Sequence, residues 1–300
     1  MNMTQNKCCR HGANLRRGRR RRRKILRSII FSCSIIAVAG FVAVGSRMIR
    51  SGDGGTNRYD VEAGNNTYDN AVIENSKISE KNKIQNNQSM LDDIMNSTQY
   101  PKQLKDLALK NEEALEFVYD YPTEHVKEHT IDLTEESSMD SVPLFVQWDK
   151  RWGYEKYSGN FFAASGCGPT TLSMVVVYLT HNRDASPLAV AKYSKEAGYS
   201  VDGSGSSWTL ISEGCMHYGV KAKAVALDES RMKAELDEGH PIVVNVGPGD
   251  FTDTGHFMVI TGYDDEGFSI NDPNSIEKSG KRWLFKNISS QIRAVWSMYV

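Results

Sequence analysis

The C-terminal half of this 300-residue chain predicts an α+β domain, on three observations. Between residues 164 and 239 apolar side chains gather in four segments of helical length. From residue 240 onward they form runs of strand length separated by glycine and aspartate turns, and no segment repeats another. Helices first and an antiparallel sheet afterwards is the pattern of an α+β domain; alternating β-α units and a parallel sheet would read differently.

The chain opens with a basic tail. Its first 27 residues carry eleven Lys or Arg and no Asp or Glu, densest in "RRGRRRRRK" at 16–24. "SIIFSCSIIAVAGFVAVGSRMI" follows at 28–49, apolar over about the 20 residues that cross a bilayer as a helix. Positive charge ahead of the apolar run keeps the N-terminus inside and sends the remainder out. The sequence therefore predicts a cytoplasmic tail over 1–28 and a transmembrane signal anchor over 29–49. The whole is a single-pass protein of the cell membrane with its C-terminal part extracytoplasmic. A cleaved signal peptide competes, since "AVAG" at 37–40 has the small residues of a cleavage site, but the apolar run continues past it. Cys8 and Cys9 in the tail give only a weak lipidation signal.

The net charge divides at the same place. The whole chain sums to −1, so removing the eleven positive charges of the tail leaves −12 for residues 28–300. An arm for nucleic acid would leave the apolar run unexplained, and the acidic remainder does not suit a polyanion. No nucleic-acid partner is predicted.

Residues 50–97, rich in Asn, Gly, Ser and charge, read as a disordered stalk that buries too little to offset the entropy of ordering; a short helix within 84–96 is the exception allowed. From Tyr100 the pattern changes. Leu104, Leu107, Ala108, Ala114, Leu115, Phe117 and Val118 have the spacing of short amphipathic helices, so residues 98–141 are expected to pack on the domain that follows. That domain runs over 142–300, long enough for a core of its own. "CGPTTLSMVVVYL" (167–179) predicts a buried helix, with Pro169 in its first turn. "SPLAVAKYSKEAG" (186–198) predicts a second. "SWTLISEGCMHYG" (207–219) predicts a third ending at Gly219, and "DESRMKAELDEG" (228–239) a fourth stopped by Gly239. Strands follow at 240–247, 255–265 and 267–273, the last two joined by a turn at Asp264–Gly267.

Cys167 lies between Gly166 and Gly168, which let the backbone turn sharply or approach another group. It falls at a helix N-terminus, where the dipole favours thiolate over thiol. His256 opens one strand of the predicted hairpin and Asp272 closes the other, so folding the hairpin brings them to the same end although they are sixteen residues apart. A thiol, a base beside it and a carboxylate to orient that base are the parts of a thiol nucleophile. Gln147, upstream in "VPLFVQWDKRWGYEKY", has an amide that could donate to a developing oxyanion beside the Cys167 N–H. Cys215 lies in a predicted helix and reads as a packed thiol; a disulfide with Cys167 is the ordinary alternative in an exported chain. The glycine-rich stretches 203–208 and 247–255 match neither a P-loop nor a dinucleotide fingerprint and read as loops rimming a cleft. No residues have zinc-ligand spacing, so no metal or cofactor is predicted.

The ordered blocks "VQWDKRWG", "SGCGPTTLSM", "GHPIVVNVGPGDFTDTGHFMVITGYD" and "NDPNS" resemble the papain-like cysteine peptidases related to bacteriocin-processing (double-glycine leader) peptidases, closest to the stand-alone C39-like branch. The resemblance spans roughly 142–300 and extends upstream into "YPKQLKDLALKNEEALEFVYDYP". It implies a papain-like fold and a cysteine peptidase without cofactor, acting on a peptide or protein. By it Cys167 is the nucleophile, His256 the base, Asp272 the orienting residue and Gln147 the oxyanion donor. The competing reading is an exported papain-like domain, catalytically weak, that binds a peptide or cell-wall partner.

Overall fold

A computed structural model describes residues 66–300 of the chain. The expected tail at 1–28 and signal anchor at 29–49 lie outside the described residues, as does the first part of the stalk. Among the described residues no helix is long and apolar enough to cross a membrane.

The described part of the expected stalk is a helix, α1 (Asn66–Asn96), not a disordered linker. Its physical cause is tertiary. Residues 78–86 are exposed, and what holds the helix is its C-terminal end, where Met90, Leu91 and Ile94 enter a cluster with Leu104, Leu115, Phe117 and Val118. Lys105 then caps that end, its Nζ donating to the carbonyls of Met95 at 2.9 Å and Ser97 at 2.6 Å. A few apolar residues one helical turn apart, with partners supplied by the next segment, override a polar composition. That segment forms α2 (Lys102–Lys110) and α3 (Leu115–Tyr119), joined by a short 3-10 turn that Asn111 caps by accepting from the Glu113 N–H at 3.0 Å.

The core of the domain is a six-stranded sheet against which the cysteine helix, α4 (Cys167–Thr180), lies. Helices α5 (Pro187–Glu196) and α6 (Glu229–Asp237) follow, the first started by Ser186 and Pro187, the second by Asp228 accepting from the Arg231 N–H. The strands are β1 (Lys221–Ala224), β2 (Ile242–Val246), β3 (His256–Asp264), β4 (Gly267–Asn271), β5 (Arg282–Trp283) and β6 (Ile292–Tyr299). Their order is β1-β6-β2-β3-β4-β5, with every neighbouring pair antiparallel. Alternation along the strands sorts the side chains into two cores. Val243, Phe257, Val259, Trp296 and Met298 face α4 with Leu172, Met174, Val175 and Val176. Ile242, Val244, Val246, Met258 and Ile260 face the opposite side, where Met232 of α6 and Ile288 cover them.

Two expectations change in detail. The third helix breaks at Glu213, whose φ of −128° leaves the helical range, into a turn at Thr209–Ser212 and a 3-10 turn at Gly214–Tyr218. Gly219, at φ 77°, ends it. Strands β1, β5 and β6, unread in the sequence, extend the sheet on both sides, β1 and β5 forming its edges.

Candidate active site

Cys167 is the first residue of α4, and the glycines on either side of it are there for close approach, not for unusual backbone angles. A Cβ on Gly166 would stand 2.5 Å from the Phe162 ring, and one on Gly168 would stand 2.5 Å from Ser206 Oγ. The cysteine backbone is thus wedged between the preceding turn and the Gly205–Ser206 strand. As the first residues of a helix, Cys167 and Gly168 also present amide N–H groups without intrahelical partners.

The β3–β4 hairpin brings His256 and Asp272 together. His256 Nε2 lies 2.7 Å from Asp272 Oδ1, with both side chains buried. Asp272 has no exposure at all, and its Oδ1 also accepts from the Asn274 N–H at 2.8 Å. Because Nε2 is held by the carboxylate, Nδ1 is the ring nitrogen left for the Cys167 thiol, which lines the same cleft. Burial alone would push the thiol up, but the His256 hydrogen bond and charge, with the amides of Phe257 and Gly168, outweigh it and bring the thiol below its ordinary value. Burial likewise works against charge on His256, and the Asp272 carboxylate, then the thiol, reverse that and raise its pKa. The two shifts have one meaning: the pair favours thiolate beside imidazolium.

Gln147 is buried at 5 % exposure in a turn, and its backbone N–H donates to the Pro273 carbonyl at 2.7 Å. Its Nε2 donates to the Ala163 carbonyl at 2.7 Å, which fixes the amide with nitrogen towards the cysteine loop and leaves a second N–H free. Gln147, Cys167 and His256 share one cleft of about 610 Å³. Gly249 to Gly255 form one rim of it. The other expected rim, 203–208, instead packs beneath Cys167 through Ser206. The opposing rim comes from α2, through Gln103, Asp106, Leu107 and Lys110. Nothing in the sequence marked Gln103, Asp106 or Lys110, and Leu107 read only as a packing residue, because their part in the cleft is set by where α2 packs.

Cys167 and Cys215 are both free thiols. Cys215 is fully buried in the core facing α4, and burial pushes its thiol up to about 11. Cys215→Ser is expected to cost about 1–3 kcal/mol by burying a hydroxyl in apolar surroundings. Thiol reactivity near neutral pH should be unchanged. Thermal melting beside iodoacetamide labelling of the variant checks both. Away from the cleft, Glu235, Glu238 and His240 come together, but Glu235 is already engaged by Lys223 at 2.9 Å and Ser297 at 2.7 Å.

Comparison with known proteins bears on this arrangement. Residues 139–300 match the model of the Peptidase_C39 like family, more than half of the chain. A search of curated proteins gives no match. Among solved structures, the peptidase domain of Streptococcus ComA, a bifunctional ABC transporter involved in quorum sensing, is 19 % identical with a TM-score of 0.37, over 45 % of this chain and 90 % of that one. A protein described as a C39-like peptidase from Bacillus anthracis is 17 % identical with a TM-score of 0.33, over 57 % of this chain and 98 % of that one. With helices packed on an antiparallel sheet and the family model covering the whole of that domain, the chain belongs to the Peptidase_C39-like family.

Proposed function

We propose that the chain is a membrane-anchored, extracytoplasmic cysteine peptidase that hydrolyses peptide bonds through Cys167, His256 and Asp272. The observation that carries this reading is the buried His256–Asp272 pair, 2.7 Å apart, lining one cleft with Cys167. In it the Cys167 thiolate attacks the carbonyl carbon of a peptide. The negative charge passes to the carbonyl oxygen, where the free N–H of Gln147 and the Cys167 N–H receive it. His256 gives its Nδ1 proton to the leaving amine as the C–N bond breaks, forming a thioester. The neutral imidazole then takes a proton from water, which attacks the thioester and releases the acid and the thiolate. The anchor rests on the apolar run at 28–49 and the basic residues before it.

A peptidyl acyloxymethyl ketone, which alkylates activated thiols, tests the chemistry. One label per chain, mapped to Cys167 by mass spectrometry, is expected, and a chain that stays unlabelled while folded would refute the peptidase. Topology has its own check. Protease added to intact cells should digest the part from Val142 onward and spare Met1–Arg27; protection of the C-terminal part would overturn the orientation.

A further inference from the structure

The family match begins at residue 139, yet hydrogen bonds reach the Asp272 loop from residues well before it. Asn111 Nδ2 donates to the Asn274 carbonyl at 2.9 Å and to its side-chain oxygen at 3.1 Å. The N–H of that same Asn274 is the second donor on Asp272 Oδ1. Two residues further along, the Glu113 carboxylate receives the Ser275 hydroxyl and the N–H groups of Ile276 at 2.7 Å and Glu277 at 3.1 Å. Ser275 is in turn bridged to Asp272 through the backbone, its N–H donating to the Asp272 carbonyl at 3.2 Å. Three donors on one carboxylate is more than a surface glutamate gathers by chance, and all three belong to the four residues after Pro273.

We propose that Glu113, with Asn111, is a positioning residue for the triad: the helical segment upstream of the family domain fixes the loop that carries Asp272, and through it the charge on His256. The inference rests on the reading of Cys167, His256 and Asp272 given above. Asp272 has no flexible stem with which to follow His256, so its carboxylate sits where its loop is held. Ser279 closes that loop from within, its Oγ accepting the Asp272 N–H at 2.9 Å and donating to the Ser275 carbonyl at 2.7 Å. Glu113 joins the closed loop to α2 and α3, which the cluster around Leu104, Leu115 and Val118 anchors to the domain. Without it the loop keeps its internal bonds but loses its fixed distance from His256. The imidazolium is then less well stabilised, and the thiolate with it.

The test is the pH dependence of Cys167 alkylation by iodoacetamide in the full chain, read by mass spectrometry. Glu113→Ala should raise the midpoint by about one pH unit, the effect of a weakened charge partner on a coupled pair. Glu113→Gln keeps one acceptor for the two amides and turns its NH2 to the Ser275 oxygen, which can accept in place of donating, so it should restore most of the difference. Glu116→Ala, exposed on the neighbouring α3, should leave the profile in place. A Glu113→Ala profile that superimposes on wild type overturns the inference. If Glu113→Ala does not fold, Ser275→Ala carries the test: a raised midpoint supports the brace and an unchanged one refutes it. A wild-type midpoint at the ordinary thiol value of about 8.5 would instead refute the triad reading itself, which keeps the two failures apart.

Discussion

Replacing His256 by alanine should abolish turnover, by about 10³-fold or more, and should move the alkylation midpoint of Cys167 above that of a free cysteine. The first effect follows from the removal of the group that takes and returns the proton. The second follows from which forces remain. In the native site burial pushes the thiol up, while the His256 hydrogen bond and charge and the amides of Phe257 and Gly168 pull it down. Without the imidazole, burial faces the two amides alone. The midpoint should therefore pass the ordinary value of about 8.5 instead of merely returning to it. Wild type should react rapidly with iodoacetamide at pH 6, and the variant should not reach its plateau until well above pH 9. Equal profiles for the two proteins would mean that the ring contributes nothing to the thiol, and the peptidase reading would fall with it.

The parts of this site that a sequence can show are those fixed by local structure. A cysteine before a proline and an apolar run sits at a helix start whatever the rest of the chain does, and Cys167 begins α4. A hairpin with a short turn returns its ends to one place, and the β3–β4 pairing, Asp264 opposite Gly267, sets His256 beside Asp272. What could not be read is what depends on packing between distant segments. Gln147 owes its orientation to the Ala163 carbonyl sixteen residues away, and Glu113 meets its partners across more than 160 residues. Neither contact has a spacing or a period. The helix α1 failed to stand out for the same reason, since its stabilising neighbours lie in the next segment and its own composition is that of a linker. The glycines around Cys167 were visible as glycines, but the groups they make room for, Phe162 and Ser206, were not.

Asp272→Ala should slow turnover by about 10²-fold, less than the loss of His256, because the base remains but its ring is no longer held in place. Its more telling effect is on the pH profile. Activity needs Cys167 as thiolate and His256 as imidazolium, so the rate rises as pH climbs through the step that ionises the pair and falls as pH climbs through the step that takes the imidazolium proton. Burial works against the imidazolium, and the Asp272 carboxylate is the largest influence opposing it. Removing that charge lowers the basic limb. It also raises the acidic limb, since a less stable imidazolium gives the thiolate less support. The window should close from both sides. Asp272→Asn separates orientation from charge: its side-chain oxygen can still accept from His256 Nε2 and from the Asn274 N–H, so the ring stays aligned while the charge is gone. Its maximal rate should exceed that of the alanine variant, with the basic limb still displaced to lower pH. The native Oδ2 is buried without a hydrogen-bond partner, and an amide nitrogen there would be equally unpartnered, so the exchange adds no new unsatisfied position. If both variants keep the wild-type basic limb, Asp272 holds the ring by geometry alone and its charge has no part in the chemistry.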